Sequence, residues 1–234
     1  MTAEMLRVSA LHAFYGESHI LHGVDFSVNR GEVVTLLGRN GAGRTTTFKA
    51  LLGLVGIRSG SVMINGREAI ALPPHKIAHL GVGYCPEERG IYASLSAEEN
   101  LLLPPLVGSE GMSIDEIYGM FPNLKERRET QGTRLSGGEQ QMLAVARTLR
   151  TGAKLLLLDE ISEGLAPVIV QGLSRTIQDL RSRGYTIVLA EQNFRFAAPL
   201  ADRFYIMEHG RIVQDFGASE LQEKMATVHQ FLGV

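Results

Sequence analysis

A chain of 234 residues with 23 basic and 25 acidic side chains has a formal net charge of −2, so nothing in its charge pushes it toward nucleic acid or an anionic lipid surface. Its 44% hydrophobic and 21% charged composition is that of a globular protein, long enough for one large domain or a core with an inserted lobe. The single cysteine, Cys85, excludes an intrachain disulfide and reads as a small buried residue. Met1-Thr2-Ala3-Glu4-Met5 lacks the basic start and apolar stretch of a signal peptide, and no apolar run approaches the roughly 20 residues that span a bilayer.

In chain order, residues 5–11, 23–28 and 32–37 read as strands, and 60–64 reads as a strand ending in the Asn65-Gly66 turn. Residues 46–55 have helical spacing, Pro73-Pro74-His75 starts a short helix, and 81–85 is a short strand before Pro86. From about 97 to 150 the chain is helix-like, with breaks at Pro104-Pro105, 108–111 and Pro122-Asn123. Strands and helices then alternate: strand 154–158, helix 167–183, strand 186–190, and a helix containing 198–200. A hairpin of 203–207 and 211–216 turns at His209-Gly210, and the tail from Ser219 to Val234 reads as an amphipathic helix. This alternation predicts an α/β fold whose mostly parallel sheet is covered on both faces, with an antiparallel β portion and an inserted helical subdomain. The expected organisation is one domain over 1–234, with 1–86 and 151–234 forming the core and about 87–150 the inserted lobe.

Strand 32–37 runs into Gly38-Arg39-Asn40-Gly41-Ala42-Gly43-Arg44-Thr45-Thr46. This fits the phosphate-loop pattern of glycine, four residues, glycine, lysine, serine or threonine everywhere except at Arg44. Glycines let successive amides turn inward, and with the positive end of the next helix they make a site for phosphates. Thr45 is placed to offer its hydroxyl to Mg²⁺, and Thr46 to support the phosphates. Arginine binds phosphate too, but its planar fork is longer and wider than an ammonium. Taken alone, the loop also fits a glycine-rich turn that caps a helix.

Lys154-Leu155-Leu156-Leu157-Leu158-Asp159-Glu160 is an apolar strand ending in two acids. A doubly buried strand delivers such acids to the carboxyl edge of the sheet, where open α/β sheets bind ligands. Asp159 suits the Mg²⁺ shell and Glu160 a water attacking a γ-phosphate, although acids capping the next element fit as well. Between the two motifs, Leu135-Ser136-Gly137-Gly138-Glu139-Gln140-Gln141 opens a helix. Ser136 is a natural N-cap, and Gly137 and Gly138 expose amides at a positive helix end, a second anion site.

Residues 38–45, 135–140 and 155–160 resemble, in that order, the Walker A, signature and Walker B elements of ABC ATPases, and the resemblance covers essentially the whole chain. It implies the ATP-binding, ATP-hydrolysing fold of that family, with a P-loop core. It implies two cassettes facing head to tail, with ATP and Mg²⁺ held between one phosphate loop and the partner's Ser136, Gly137 and Gly138. By the same resemblance, Tyr15 stacks on adenine and Glu87 occupies the place of the loop glutamine that senses Mg²⁺ and the membrane partner. Gln192 occupies the place of the switch histidine, and Ser162-Glu163-Gly164-Leu165-Ala166-Pro167 matches the D-loop.

Pro86-Glu87, Glu163-Gly164-Leu165-Ala166-Pro167 and Glu191-Gln192-Asn193 resemble the smaller ATPase of branched-chain amino acid importers, and urea and amide importers share much of this pattern. Arg44 for lysine and Ile161 for proline depart from it. The resemblance implies a second ATPase subunit, transmembrane permeases, indirectly a solute-binding protein, and a station on the cytoplasmic face of the inner (plasma) membrane. An ATP-binding switch with little hydrolysis is the alternative that Arg44 and the neutral Gln192 raise. A soluble ABC protein of DNA repair or translation is disfavoured by the single cassette and the lack of a heptad stretch. The seven histidines show no metal-ligand spacing, and Arg127-Arg128 reads as a solvated face.

Overall fold

The computed structural model describes residues 3–108 and 111–233. The expected break at 108–111 falls partly on Ser109 and Glu110, which lie outside the described residues, as do Met1, Thr2 and Val234. Two long strands, β1 (Glu4–Tyr15) and β2 (Ser18–Asn29), precede β3 (Val33–Leu37) and helix α1 (Arg44–Leu51). Then come β4 (Ile57–Ile64), β5 (Arg67–Glu68), α2 (Pro74–Ala78) and β6 (Val82–Cys85). Helices α3 (Ala97–Leu102), α4 (Ile114–Met120), α5 (Pro122–Glu126) and α6 (Gly137–Arg150) follow. The chain closes with β7 (Leu155–Asp159), α7 (Pro167–Ser182), β8 (Thr186–Glu191), α8 (Phe194–Ala197), the hairpin β9 (Arg203–Glu208) and β10 (Arg211–Gly217), and α9 (Leu221–Leu232).

The central sheet has the order β10-β9-β3-β8-β7-β6, parallel throughout except for the antiparallel pairing of β10 with β9. Every residue of β3, β7 and β8 is buried, which is why these segments read as continuous apolar runs. Alternate side chains feed two cores: Leu155, Leu157 and Val188 pack toward the second sheet, while Leu156, Leu158, Ile187 and Leu189 pack toward α6 and α7. Each such leucine contributes about 1.5–3 kcal/mol by leaving water, so the layer is strongly specified. The second sheet, β2-β1-β4-β5, is antiparallel. A third cluster lies beneath α9, where Val228 and Leu232 meet Phe204 and Phe216.

Two expectations are corrected. Strands β1 and β2 run well past 11 and before 23, because they pair from Glu4↔Asn29 to Tyr15↔Ser18 around a two-residue turn. Their alternation is broken at Ala10, whose φ of 46° marks an irregularity, and this obscures a single long strand in the sequence. Residues 198–200 form a turn instead of helix; the helix is α8, started by Asn193, whose side chain accepts from the Phe196 amide at 3.2 Å. Cys85 is fully buried, and no helix among the described residues is long and apolar enough to cross a membrane.

Candidate active site

Parallel strands deliver their carboxyl ends to one edge. Register pairs Leu37 with Glu191, Asp159 with Ala190, and Cys85 with Leu158, so the segments leaving β3, β8, β7 and β6 meet there. The loop after β3 turns through Gly41 and Gly43, with φ of 82° and 107°, and Gly43 is the residue that opens α1. A side chain at Gly43 would be strained whatever space surrounded it. No side chain caps α1 and no acid sits in its first turn, so its positive end is left for an external anion. A cavity of about 430 Å³ lies over this end, lined by residues 39–46 together with Tyr15, Ile20, Glu87, Glu160 and Glu163.

Arg44 is the first residue of α1, and only 4% of its surface is exposed. Its Nη2 pairs with Glu160 and lies 3.4 Å from Asn40 Oδ1, while Nε and Nη1 are buried without a partner among the described residues. A buried guanidinium with unused donors beside an uncapped helix end suits a multiply charged oxyanion. Thr45 Oγ1 donates to Asp159 Oδ1 at 3.1 Å, and Tyr84 Oη donates to Asp159 Oδ2 at 3.0 Å. Burial pushes the Asp159 carboxyl up to about 6, against the lowering effect of those two donors. A hydroxyl that lines the cavity, in contact with a carboxylate buried behind it, is a donor set that fits a hard divalent cation such as Mg²⁺.

Glu160 has a φ of 47°, a left-handed conformation unusual for a non-glycine residue, and its carboxylate reaches both Arg44 and the cavity. A hydrogen bond with Glu160, together with burial, raises the pKa of Glu163. A second groove, of about 940 Å³, continues past Asn40 and Glu160 to Ser162, Gln192 and Asn193. Gln192 therefore faces the same strand edge from the neighbouring groove without lining the phosphate cavity. Beside it Glu191, 1% exposed, accepts from the Ser162 amide at 3.2 Å and from Ser162 Oγ at 2.9 Å, and burial holds its carboxyl at about 7.

Tyr15 stands at the end of β1, 47% exposed, on the cavity wall, and Glu87 is exposed at its rim. Gly38 lies beneath the loop, where a Cβ would come within 2.6 Å of the Met207 carbonyl. Ser136, Gly137 and Gly138 do not line this cavity: one chain keeps its signature end away from its own phosphate loop. Ser136 caps α6 in a reciprocal box with Glu139, with Ser136 N donating to Glu139 at 2.8 Å and Glu139 N to Ser136 at 3.3 Å. The glycine pair divides in role. A Cβ at Gly138 would meet Ile169 at 2.8 Å, whereas one at Gly137 would find only the Arg89 guanidinium at 3.6 Å.

Sequence reasoning gave Tyr84 no part in the site, and it named Glu163 and Glu191 only within longer motifs, without roles of their own. The signal for Glu163 was the D-loop match and that for Glu191 its place before Gln192, whereas Tyr84 reaches Asp159 only because β6 pairs with β7.

The family model described as ABC transporter matches residues 21–163, more than half of the chain. The chain belongs to the ABC transporter family. It is 42% identical over 93% of its length to the high-affinity branched-chain amino acid transport ATP-binding protein BraG of Pseudomonas aeruginosa, covering 95% of that protein. A probable branched-chain amino acid transport ATP-binding protein, LivF of Archaeoglobus fulgidus, is 37% identical over 94% of each chain. The lipopolysaccharide export system ATP-binding protein LptB of Acidithiobacillus ferridurans is 34% identical over 99% of this chain and 98% of its own. Among solved structures, the ATP binding subunit of an ABC transporter superposes with a TM-score of 0.83 at 27% identity, covering 98% of this chain and all of the other. This ABC cassette is accordingly an ATPase of a transporter, and it shares the P-loop fold of its neighbours.

Proposed function

We propose that this cassette hydrolyses ATP to drive the import of branched-chain amino acids, working with a second cassette and a pair of permeases on the cytoplasmic face of the membrane. The observation that carries the hydrolytic part is the buried Arg44, with two unpartnered donors, beside the contacting pair Thr45–Asp159. The solute is supported by the 42% identity to BraG across nearly the full length of both chains.

In this reading Tyr15 stacks on the adenine. The loop amides other than that of Ala42, which donates to the Arg39 carbonyl, and the opening of α1 bind the β- and γ-phosphates, with Arg44 and Thr46 against their oxygens. Thr45 and Asp159 would hold Mg²⁺, which when bound would neutralise phosphate charge, and Glu87 would sense it. Glu160 accepts the proton of the attacking water, and Gln192 orients the γ-phosphate from the neighbouring groove. Ser136, Gly137 and Gly138 of each cassette complete the other's site, which accounts for their distance from the phosphate loop of their own chain. The core of 1–86 and 151–234 carries the nucleotide, and the helical part at about 87–150 carries the signature end and faces the permeases.

The test is twofold. Deletion of the gene is expected to abolish high-affinity uptake of radiolabelled leucine, restored by the intact gene and not by one encoding Glu160→Gln. Native purification is expected to bring down permeases and a second cassette. Unchanged leucine uptake, or co-purification with lipopolysaccharide-export components, would overturn the solute assignment while leaving the ATPase in place.

A further inference from the structure

The phosphate loop of this chain departs from its pattern at one position, and the structure shows where that side chain goes. Arg44 is nearly sealed from solvent, and its counter-ion is Glu160, itself only 10% exposed. A buried cation cannot stay unpaired, and Glu160 is the anion that stabilises Arg44 where it lies. Glu160 is held for this contact by a left-handed backbone, with its amide donating to the Ala190 carbonyl at 2.9 Å. Asn40 gives Arg44 one further, long contact at 3.4 Å, and Nε and Nη1 have none. The guanidinium of this cavity-lining residue is thus committed to Glu160 at Nη2 and unsatisfied at the buried Nε and Nη1.

We propose that Arg44 and Glu160 form a lock: the guanidinium sequesters the carboxylate that activates water, and an incoming phosphate releases it by drawing Arg44 away. This rests on the assignments of Glu160 and Arg44 made above and adds to them a competition between Glu160 and phosphate for one cation. The arrival of the substrate then frees the base, and breaking the buried pair lowers nucleotide affinity. The asymmetry of the donors decides the direction. A triphosphate carries more charge than one carboxylate and meets Nε and Nη1, which gain partners only when it arrives.

A double-mutant cycle on the full chain tests this competition. Binding of the non-hydrolysable analogue adenylyl imidodiphosphate with Mg²⁺ is measured by calorimetry on wild type, Glu160→Gln, Arg44→Met and the double variant. The lock predicts that Glu160→Gln tightens binding by about tenfold when Arg44 is present and by less than about threefold on Arg44→Met, a coupling of ordinary size between contacting groups. Equal tightening on both backgrounds, or weaker binding of Glu160→Gln than of wild type, overturns the lock and leaves nucleotide binding intact. Absence of binding by all four proteins overturns the nucleotide assignment, and the lock with it. Circular dichroism confirms folding of each variant, and Arg44→Gln replaces Arg44→Met if the latter fails to fold.

Discussion

Two helices in this molecule begin beside glycines, and their ends are finished in opposite ways. Helix α6 is closed by its own chain: Ser136 and Glu139 exchange bonds with each other's amides, and Gln140 Nε2 donates to the Gly132 and Leu135 carbonyls at 2.9 and 3.2 Å. Helix α1 is left open, with no capping side chain, a buried arginine short of acceptors, and a carboxyl at its foot pushed up to about 6. A finished end is stable by itself and can be presented to another molecule. An unfinished end stores unsatisfied polar groups that only a ligand completes. The first suits a surface and the second the reaction centre proposed here.

The largest effect is expected from removing the proposed reacting group at the open end. Glu160→Gln is expected to lower Mg-ATP turnover by about 10²- to 10⁴-fold, the usual contribution of a positioned base. Phosphate release by the purified transporter complex measures it. Turnover within a few-fold of wild type would move the base to another carboxylate, with Glu163 the nearest candidate on the cavity wall.

The next effect concerns stability and pH. Burial raises Glu191 from 4.5 to about 7, opposed by the two bonds from Ser162, so the folded chain holds this proton more tightly than the unfolded one. Its stabilising contribution is complete below pH 4.5 and is lost as pH rises through about 7. The loss across that window is about 3 kcal/mol, from the free energy of each pKa unit. Glu191→Gln carries no such titration. In urea unfolding, its stability relative to wild type is therefore expected to improve by about 3 kcal/mol between pH 4.5 and pH 8. A constant difference between the two proteins across this range would show that Glu191 stays charged.

The closed end is expected to answer with a smaller, pH-independent change. Ser136→Ala removes the acceptor for the Glu139 amide and costs about 1 kcal/mol, measurable by the same unfolding experiment. A cost well below that would mean that water already serves this helix end.

How much of this contrast was legible in the sequence follows from the range of the interactions involved. The phosphate loop, the acids after β7 and the cap of α6 each lie within a few consecutive residues, so glycine spacing, an apolar run and a Ser-x-x-Glu box revealed them. The hydrogen bond of Tyr84 to Asp159 and that of Ser162 to Glu191 span 75 and 29 residues and exist only through the order of strands in the sheet. Placing 198–200 in a helix failed for a local reason, because Asn193 is a capping residue that starts α8 earlier. The unpaired face of Arg44 is a property of burial, which no motif encodes.

Gly137 gives the smallest change in the folded chain and the finest discrimination. Its neighbour Gly138 is needed for space, since a Cβ there would press on Ile169 at 2.8 Å. Gly137 has no such constraint: it occupies the first position of α6 at ordinary φ, and an added methyl would touch only the end of Arg89 at 3.6 Å. Gly137→Ala should then change unfolding free energy by no more than about 0.5 kcal/mol, within the range of surface substitutions. If the closed end of α6 is offered to a partner cassette's nucleotide, the same methyl stands in the approach of the phosphate to the helix amides. ATP-dependent dimerisation of the Glu160→Gln protein, followed by light scattering, should then weaken by a few-fold when Gly137→Ala is added. Unaltered dimerisation would leave Gly137 without a role that either the fold or the sandwich explains, and would shift the contact with the partner's phosphate onto the Ser136 hydroxyl.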